Sequence, residues 1–286
     1  MTKVNVVIPT LASVNTQYLK LCVESLRATT DWKIIVVSNG SKVKPDYRDI
    51  NGISVHLHTR DQGQCNAVNI GAYVADADTK YLLISNDDMY YAPGWNRRLK
   101  FRHLVFSPNL IEPTNNAGSA KPFLKRDWGY TFDEFKKNRA DAGVRNAIHS
   151  IQLHHNALDE PNHTEEPGFN MPLFIDYGVW RTIGGYDPAY DPWGSNSDTD
   201  LQTKVNLAGI TPMRLRNVLV YHFSNKSGTF DGTHQEEWQK NWDYFDRKWG
   251  FNRDQLGSDV WYNKNMLPTR SENIKYQPDW AWRYAD

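Results

Sequence analysis

The chain has 286 residues, with 33 basic and 33 acidic side chains that leave a formal charge of zero. That balance excludes a protein that grips nucleic acid mainly through bulk charge, although a local basic patch stays open. At 40% hydrophobic and 23% charged residues the composition is not that of a disordered chain, and the length provides for one or two domains.

Val4–Ile8 reads as a buried strand ended by Pro9, because it is short, apolar and β-branched. Tyr18–Arg27 follows as a helix, with Leu19, Val23 and Leu26 at helical intervals. Ile34–Val37 is a second buried strand, closed by the turn cluster Ser38-Asn39-Gly40-Ser41. Val55–His58 is a third strand, Asn66–Val74 a helix, and Tyr81–Ile84 a fourth strand. Continuous rather than alternating apolar strands, interleaved with helices, predict an α/β fold with a mostly parallel sheet. Ligands in such sheets bind outside the carboxyl ends of the strands. Those ends are Pro9-Thr10-Leu11, Ser38–Ser41, Thr59–Gly63 and Ser85–Asp88.

The pattern weakens after Asn109. Pro113–Lys121 and Pro161–Pro172 read as loops around Phe132–Leu158, which predicts one or two helices exposing Lys136, Lys137, Arg139 and Arg145. Apolar order returns at Leu173–Ile175, and Gly184-Gly185-Tyr186-Asp187 is a turn. Thr199–Leu207 is helical with Gly209 as its stop signal, Val218–His222 is a last strand, and Gln235–Trp249 is a Trp-rich helix closed by Gly250. Leu267–Asp286 shows little pattern. No apolar run approaches the ~20 residues of a membrane span, the N-terminus lacks a signal-peptide core, and a cytoplasmic location is expected. Cys22 and Cys65 allow one bridge but no disulfide framework.

Two places carry chemistry. Asn86-Asp87-Asp88 follows a buried strand directly, where neighbouring carboxylates repel unless a cation or donors neutralise them. Oxygen ligands of this kind suit Mg²⁺ or Mn²⁺ bridging to phosphates; the alternative is a solvated turn. Gly63, Ala67, Asn69 and Gly71 place small residues across a loop-to-helix junction. They allow either an anion at the helix N-terminus or close helix–sheet packing, and by themselves they favour packing.

In order along the chain, Val4–Thr10, Val36–Ser41, Gly63–Gly71, Leu83–Trp95 and Gly184–Leu201 resemble the family-2 glycosyltransferases with the type-A nucleotide-sugar (GT-A) fold. The resemblance implies a nucleotide-sugar-binding half at 1–112 and an acceptor and catalytic half at 173–225. Between them lies a partly helical insertion at 113–172, and after them a C-terminal helical extension at 226–286. Thr10, Leu11 and Asn39 would contact base and ribose, with Arg60, Gly63 and Asn69 in the same nucleotide half-site. Asn86-Asp87-Asp88 stands at the Asp-x-Asp position, with Asp88 on a Mn²⁺ or Mg²⁺ ion and Asp87 near ribose or sugar. The family often has Asp where this chain has Asn86. Asp198 resembles the general base, with Asp200 as the alternative; the family commonly has Glu where this chain has Ser197. His222 would touch metal or diphosphate, and Lys226 would reach the diphosphate.

The implied reaction is inverting transfer of a sugar from a nucleotide-diphosphate donor to a hydroxyl of a glycan, lipid-linked sugar, protein or modified nucleic-acid base. Trp193 and Gly194, beside Asp198, would flank the acceptor, unless Trp193 is a packing residue. A sugar-1-phosphate nucleotidylyltransferase is the second enzyme reading, weakened because Pro9–Ser13 has neither glycine nor a basic residue. A carbohydrate-binding protein on an inactive transferase fold is the non-enzymatic one. Trp238, Trp242 and Trp249 read as core, His56 and His58 as surface. His149, His154, His155 and His163 lack the spacing of a zinc site.

Overall fold

A computed structural model describes residues 2–11, 16–113, 124–125, 128–140, 165–223, 226 and 234–249. The histidines at 149, 154, 155 and 163, Arg145, the second half of the helical segment expected after 132, and Leu267–Asp286 lie outside the described residues.

The first half follows the expected pattern. Strands β1 (Val4–Leu11), β2 (Lys33–Asn39), β3 (Val55–His58) and β4 (Tyr81–Ile84) are joined by helices α1 (Thr16–Arg27) and α2 (Gln64–Tyr73). All four strands run parallel, in the order β3-β2-β1-β4. β1 is buried from Val4 to Thr10 and β4 throughout, which is why β4 is an unbroken apolar run and β1 is mostly apolar, its buried Asn5 accepting the Asp76 N–H at 3.1 Å. Helix α1 buries Leu19, Cys22, Val23 and Leu26, one stripe at helical spacing. Helix α2 presses on the sheet where Gly71 faces Val7. A Cβ there would lie 2.4 Å from Val7 Cγ1, so only glycine permits the approach.

The second half departs from expectation. The segment after Asn96 holds strand β6 (Val105–Glu112), buried along its whole length. Pro108 in its middle masks the strand in the sequence, since proline cannot donate to a ladder. The fold accommodates it at an irregularity: β10 (Met213–His222) pairs Leu215 with Pro108 and then Leu219 with Asn109, skipping the residues between. Strand β9 (Leu173–Asp176) runs antiparallel between β4 and β6, and two-residue β5 (Met89–Tyr90) runs antiparallel on the far edge of β10. The sheet therefore reads β3-β2-β1-β4-β9-β6-β10-β5. Short β7 (Leu124–Lys125) lies on β6, and β8 (Glu165–Pro167) on β10.

Helix α3 (Phe132–Ala140) seats Phe135 against Tyr90, Tyr221 and Phe223, so the helix is anchored by aromatic contact. Helices α4 (Tyr177–Ile183), α5 (Ser197–Leu207) and α6 (Gln235–Trp249) complete the described fold. Trp249 is fully buried, whereas Trp238 and Trp242 are half-buried. His56 and His58 are not surface residues. Two apart on β3, they share a face, and the Ser38 hydroxyl lies 2.9 Å from His56 Nε2 and 3.2 Å from His58 Nδ1. Cys22 and Cys65 are both free and buried. Among the described residues no helix is long and apolar enough to cross a membrane.

Candidate active site

The carboxyl ends of β1, β2 and β4 converge. Thr10 donates its hydroxyl to Asp87 Oδ2 at 2.6 Å, and both residues are buried. Asn39 donates from Nδ2 to the Thr10 carbonyl at 2.9 Å and accepts the Gly63 N–H on Oδ1 at 3.1 Å. One amide thus ties two strand ends to the loop that starts α2. Tyr47, which the sequence reading passed over, is buried beside them. Burial, with the Asp87 charge adding, pushes its hydroxyl up to about 12.

Asp88 turns the other way. Its Oδ1 lies 3.3 Å from His222 Nε2, and His222 Nδ1 meets Glu112 Oε1 at 2.6 Å. Burial alone would keep His222 neutral, but the flanking carboxylates of Asp88 and Glu112 overcome it and raise its pKa to about 10. Burial likewise opposes the Asp88 anion, and His222 outweighs it, so Asp88 stays below the usual carboxylate range. Asp87 is pushed upward by burial and by the Asp88 charge beside it. The Lys226 main-chain N–H also bonds Asp88, while the Lys226 ammonium sits 3.1 Å from the centre of the Tyr130 ring.

Asp88 Oδ1 and His222 Nε2 supply one carboxylate oxygen and one imidazole nitrogen facing each other, donor types that suit Mn²⁺. Glu112 occupies Nδ1 and leaves Nε2 as the nitrogen directed at the pair, the usual carboxylate–histidine arrangement behind a metal. Among the described residues no three His, Cys, Asp or Glu side chains gather to hold an ion by themselves. A cation here would draw further ligands from outside the protein, as phosphate oxygens allow. Glu112 escaped the sequence reading because its strand did.

The remaining sequence candidates divide. Leu11 is half-buried at the end of β1, its Cδ1 against Gly40, and Arg60 is exposed in the loop after β3. Asn86 is half-buried and offers its carbonyl to the Ser85 hydroxyl at 2.9 Å. Gly63 and Asn69 are engaged internally. The N-terminus of α2 does hold an anion, but it is the protein's own: Asp191 accepts from the Cys65 N–H at 3.0 Å and the Asn66 N–H at 2.9 Å. A Cβ on Gly63 would fall 2.2 Å from the Asp191 carboxylate. Asn69 grips the Tyr186 main chain from both sides, donating to its carbonyl at 2.9 Å and accepting its N–H at 3.0 Å.

Helix α5 begins at Ser197, two residues earlier than expected, which puts Asp198 and Asp200 together in its first turn. Their surroundings differ. Asp198 is solvent-exposed, and its Oδ1 accepts from the buried Tyr186 hydroxyl at 2.6 Å. Protein packed around its carboxyl raises the pKa above the usual range; Tyr186 opposes the rise, and access to water limits it. Asp200 is wholly buried in an ionic network. Lys248 lies 2.7 Å and Trp249 Nε1 2.8 Å from its Oδ1, and Lys204 3.2 Å from its Oδ2. Trp193 stacks on His234 with ring centres 3.4 Å apart, and Gly194 beside it takes a left-handed φ of 69°. An open hollow of about 530 Å³ between Arg27, Trp32, Asn96 and Phe101 lies at the opposite end of β2 from these residues.

Residues 5–102 match the model of Glycosyl transferase family 2. No curated protein matches the chain. Among solved structures, S. aureus TarS 1-349 is similar with a TM-score of 0.51 and 13% identity, over 89% of this chain and 74% of TarS 1-349. GalNAc-T7, solved with UDP, GalNAc and Mn²⁺, is similar with a TM-score of 0.55 and 15% identity. That match covers 99% of this chain and 58% of GalNAc-T7, so the chain spans less than two thirds of that protein. Residues 5–102 thus match glycosyl transferase family 2, and the sheet that continues through β10 has the GT-A fold.

Proposed function

We propose that the chain transfers a sugar from a nucleotide-diphosphate donor to an acceptor hydroxyl, with inversion and with a divalent cation. The observation that carries this reading is the Asp88–His222–Glu112 arrangement beside the Thr10–Asp87 contact, at the edge where a parallel sheet binds ligands. Such a cation, when bound, would neutralise charge that builds on the diphosphate as the sugar departs. Since GalNAc-T7 was solved with UDP, a uridine diphosphate sugar is the donor to test first.

In this reading Asp88 and His222 hold the cation, and Glu112 orients the imidazole. Thr10, Asn39 and Asp87 shape the nucleotide half-site, with Leu11, Arg60 and Asn86 at its margin. Lys226, tied to Asp88 through its main chain, sets a positive charge beside the diphosphate. Asp198 takes the acceptor proton. Its Oδ1 is occupied by Tyr186, which leaves Oδ2 for the acceptor hydroxyl. Asp200 is committed to two lysines and an indole, so Asp198 is the better base. With one base and no protein nucleophile, the incoming oxygen attacks opposite the leaving group, and the anomeric centre inverts. Trp193 and Gly194 flank the acceptor.

Asp198→Asn keeps shape and removes basicity. It should lower transfer by about 10²–10⁴, the usual contribution of a positioned base, and leave donor affinity by calorimetry unchanged. Normal transfer in this variant, with loss in Asp200→Asn, would reassign the base.

A further inference from the structure

The turn Gly184–Asp187 lies between the two halves of the proposed site, and Tyr186 is its most enclosed side chain. The ring is fully buried, packed edge-on against Trp180 with centres 5.9 Å apart. Its main chain is fixed by Asn69 from helix α2, through the two hydrogen bonds already described. Its hydroxyl points to Asp198 Oδ1 at 2.6 Å, and its other polar neighbour, Met171 Sδ at 4.0 Å, is a weak acceptor. Gly185 makes the arrangement possible: its φ is +65°, and a Cβ there would lie 2.6 Å from Asn69 Oδ1 and 2.7 Å from the Trp180 ring.

We infer that Tyr186 is the positioning residue of the proposed base, an immobile donor that fixes the rotamer of Asp198 and favours its anion. The inference rests on the reading of Asp198 as the base. A phenol that donates to a carboxylate stabilises the charged form. The protein packed around the Asp198 carboxyl works the other way, so the hydroxyl offsets a cost that would otherwise leave the carboxyl protonated at higher pH. Few other groups intervene. Cys65 of α2 faces Asp198 as a neutral thiol, held so by burial and by the nearby Asp191. Asp191 itself is tied to the N-terminus of α2, and Asp200, on the same helix as Asp198, is matched by Lys204 and Lys248. Among the described residues no lysine or arginine pairs with the Asp198 carboxyl, which leaves Tyr186 to favour the anion.

Asn69 adds a second consequence. The clamp joins α2, which belongs to the proposed nucleotide half, to the residue that aims the base. Tyr186 is therefore one rigid link between the two halves, and its hydroxyl is separable from that structural part.

The test is Tyr186→Phe, which keeps the ring, the Trp180 contact and the Asn69 clamp. Three readouts are taken on the full chain with a UDP-sugar that supports turnover: the pH profile of kcat, KM for the donor, and the carboxyl titration of Asp198 by carbon NMR on aspartate-labelled protein. The acid limb of kcat and the NMR titration of Asp198 should both move up by roughly one pH unit, as loss of one charged hydrogen bond implies. Donor KM should hold within about twofold, because the nucleotide contacts are untouched. Incorporation of 3-fluorotyrosine at 186, a stronger donor, should move the titration down, which guards against a variant that merely loosens the fold.

An unshifted Asp198 titration in Tyr186→Phe overturns the inference, even if activity falls. An Asp198 titration that shifts while the acid limb of kcat stays fixed overturns the role in catalysis. Full transfer by Asp198→Asn overturns the reading of the base and this inference with it; inactive Asp198→Asn with an unchanged Tyr186→Phe profile overturns the inference alone.

Discussion

Lys248 joins helix α6 to the proposed acceptor half, and its removal gives a sharp test of how α6 is held. Its ammonium lies 2.7 Å from Asp187 Oδ2 and 2.7 Å from Asp200 Oδ1, with only 9% of the side chain exposed. Asp187 also accepts from Tyr244 at 2.8 Å, and Lys204 contacts Asp200 at 3.2 Å. The four charges sum to zero. Lys248→Met keeps the aliphatic stem and leaves a buried net charge of minus one. Breaking a buried pair in this way costs about 3–5 kcal/mol, because an uncompensated charge remains in the interior. In a chain of this size that corresponds to a fall in Tm of roughly 5–8 °C. Removing charge from both sides should recover part of the loss. Lys248→Met with Asp200→Asn should cost less than the sum of the single changes by about 1 kcal/mol or more, since the residues share one network.

The acid side gives an independent check. Burial would raise Asp187, but Lys248 outweighs it and holds the carboxyl below its usual 3.8. A lowered folded pKa means stability that is present above the unfolded value and lost as pH falls through the folded one. Wild type should lose this contribution below about pH 4, and Lys248→Met should lose little there because the contribution is already gone. Thermal melts from pH 3 to pH 7 measure both effects. A Lys248→Met penalty under about 1 kcal/mol, the range of an exposed pair, would refute the reasoning.

Glu112→Gln should weaken Mn²⁺ binding by about 10–100-fold, the usual cost of losing the carboxylate behind a histidine ligand. Calorimetry with Mn²⁺ in the presence of UDP reads this, and unchanged affinity would detach Glu112 from the metal. Gly71→Ala places a methyl 2.4 Å from Val7 Cγ1 and should destabilise the fold by about 1–3 kcal/mol through overpacking. Urea melts measure it, and a neutral result would mean that α2 can lift from β1 without cost.

The sequence by itself determined the parallel half of the sheet. A strand buried on both faces is apolar at nearly every position, so Val4–Ile8 (with Asn5 the polar exception), Ile34–Val37 and Tyr81–Ile84 announce themselves, and their polar ends follow directly. The position of Asp87-Asp88 at a strand end was legible for the same reason, as was the helical stripe of α1. What only the tertiary structure decided depends on partners far apart in the chain. Glu112 stands behind His222 across 110 residues, on a strand whose central proline breaks the local signal and is tolerated only because β10 is irregular opposite it. Asp191 reaches back 126 residues to cap α2, so a helix N-terminus that the sequence leaves open to either an anion or packing is already filled. Asp198 and Asp200 are two carboxylates in one helical turn, alike in sequence. One faces solvent and a tyrosine hydroxyl, and the other is sealed by two lysines and an indole. Helical geometry turns side chains two apart by about 200°, so which of them meets water is set by what packs against the helix.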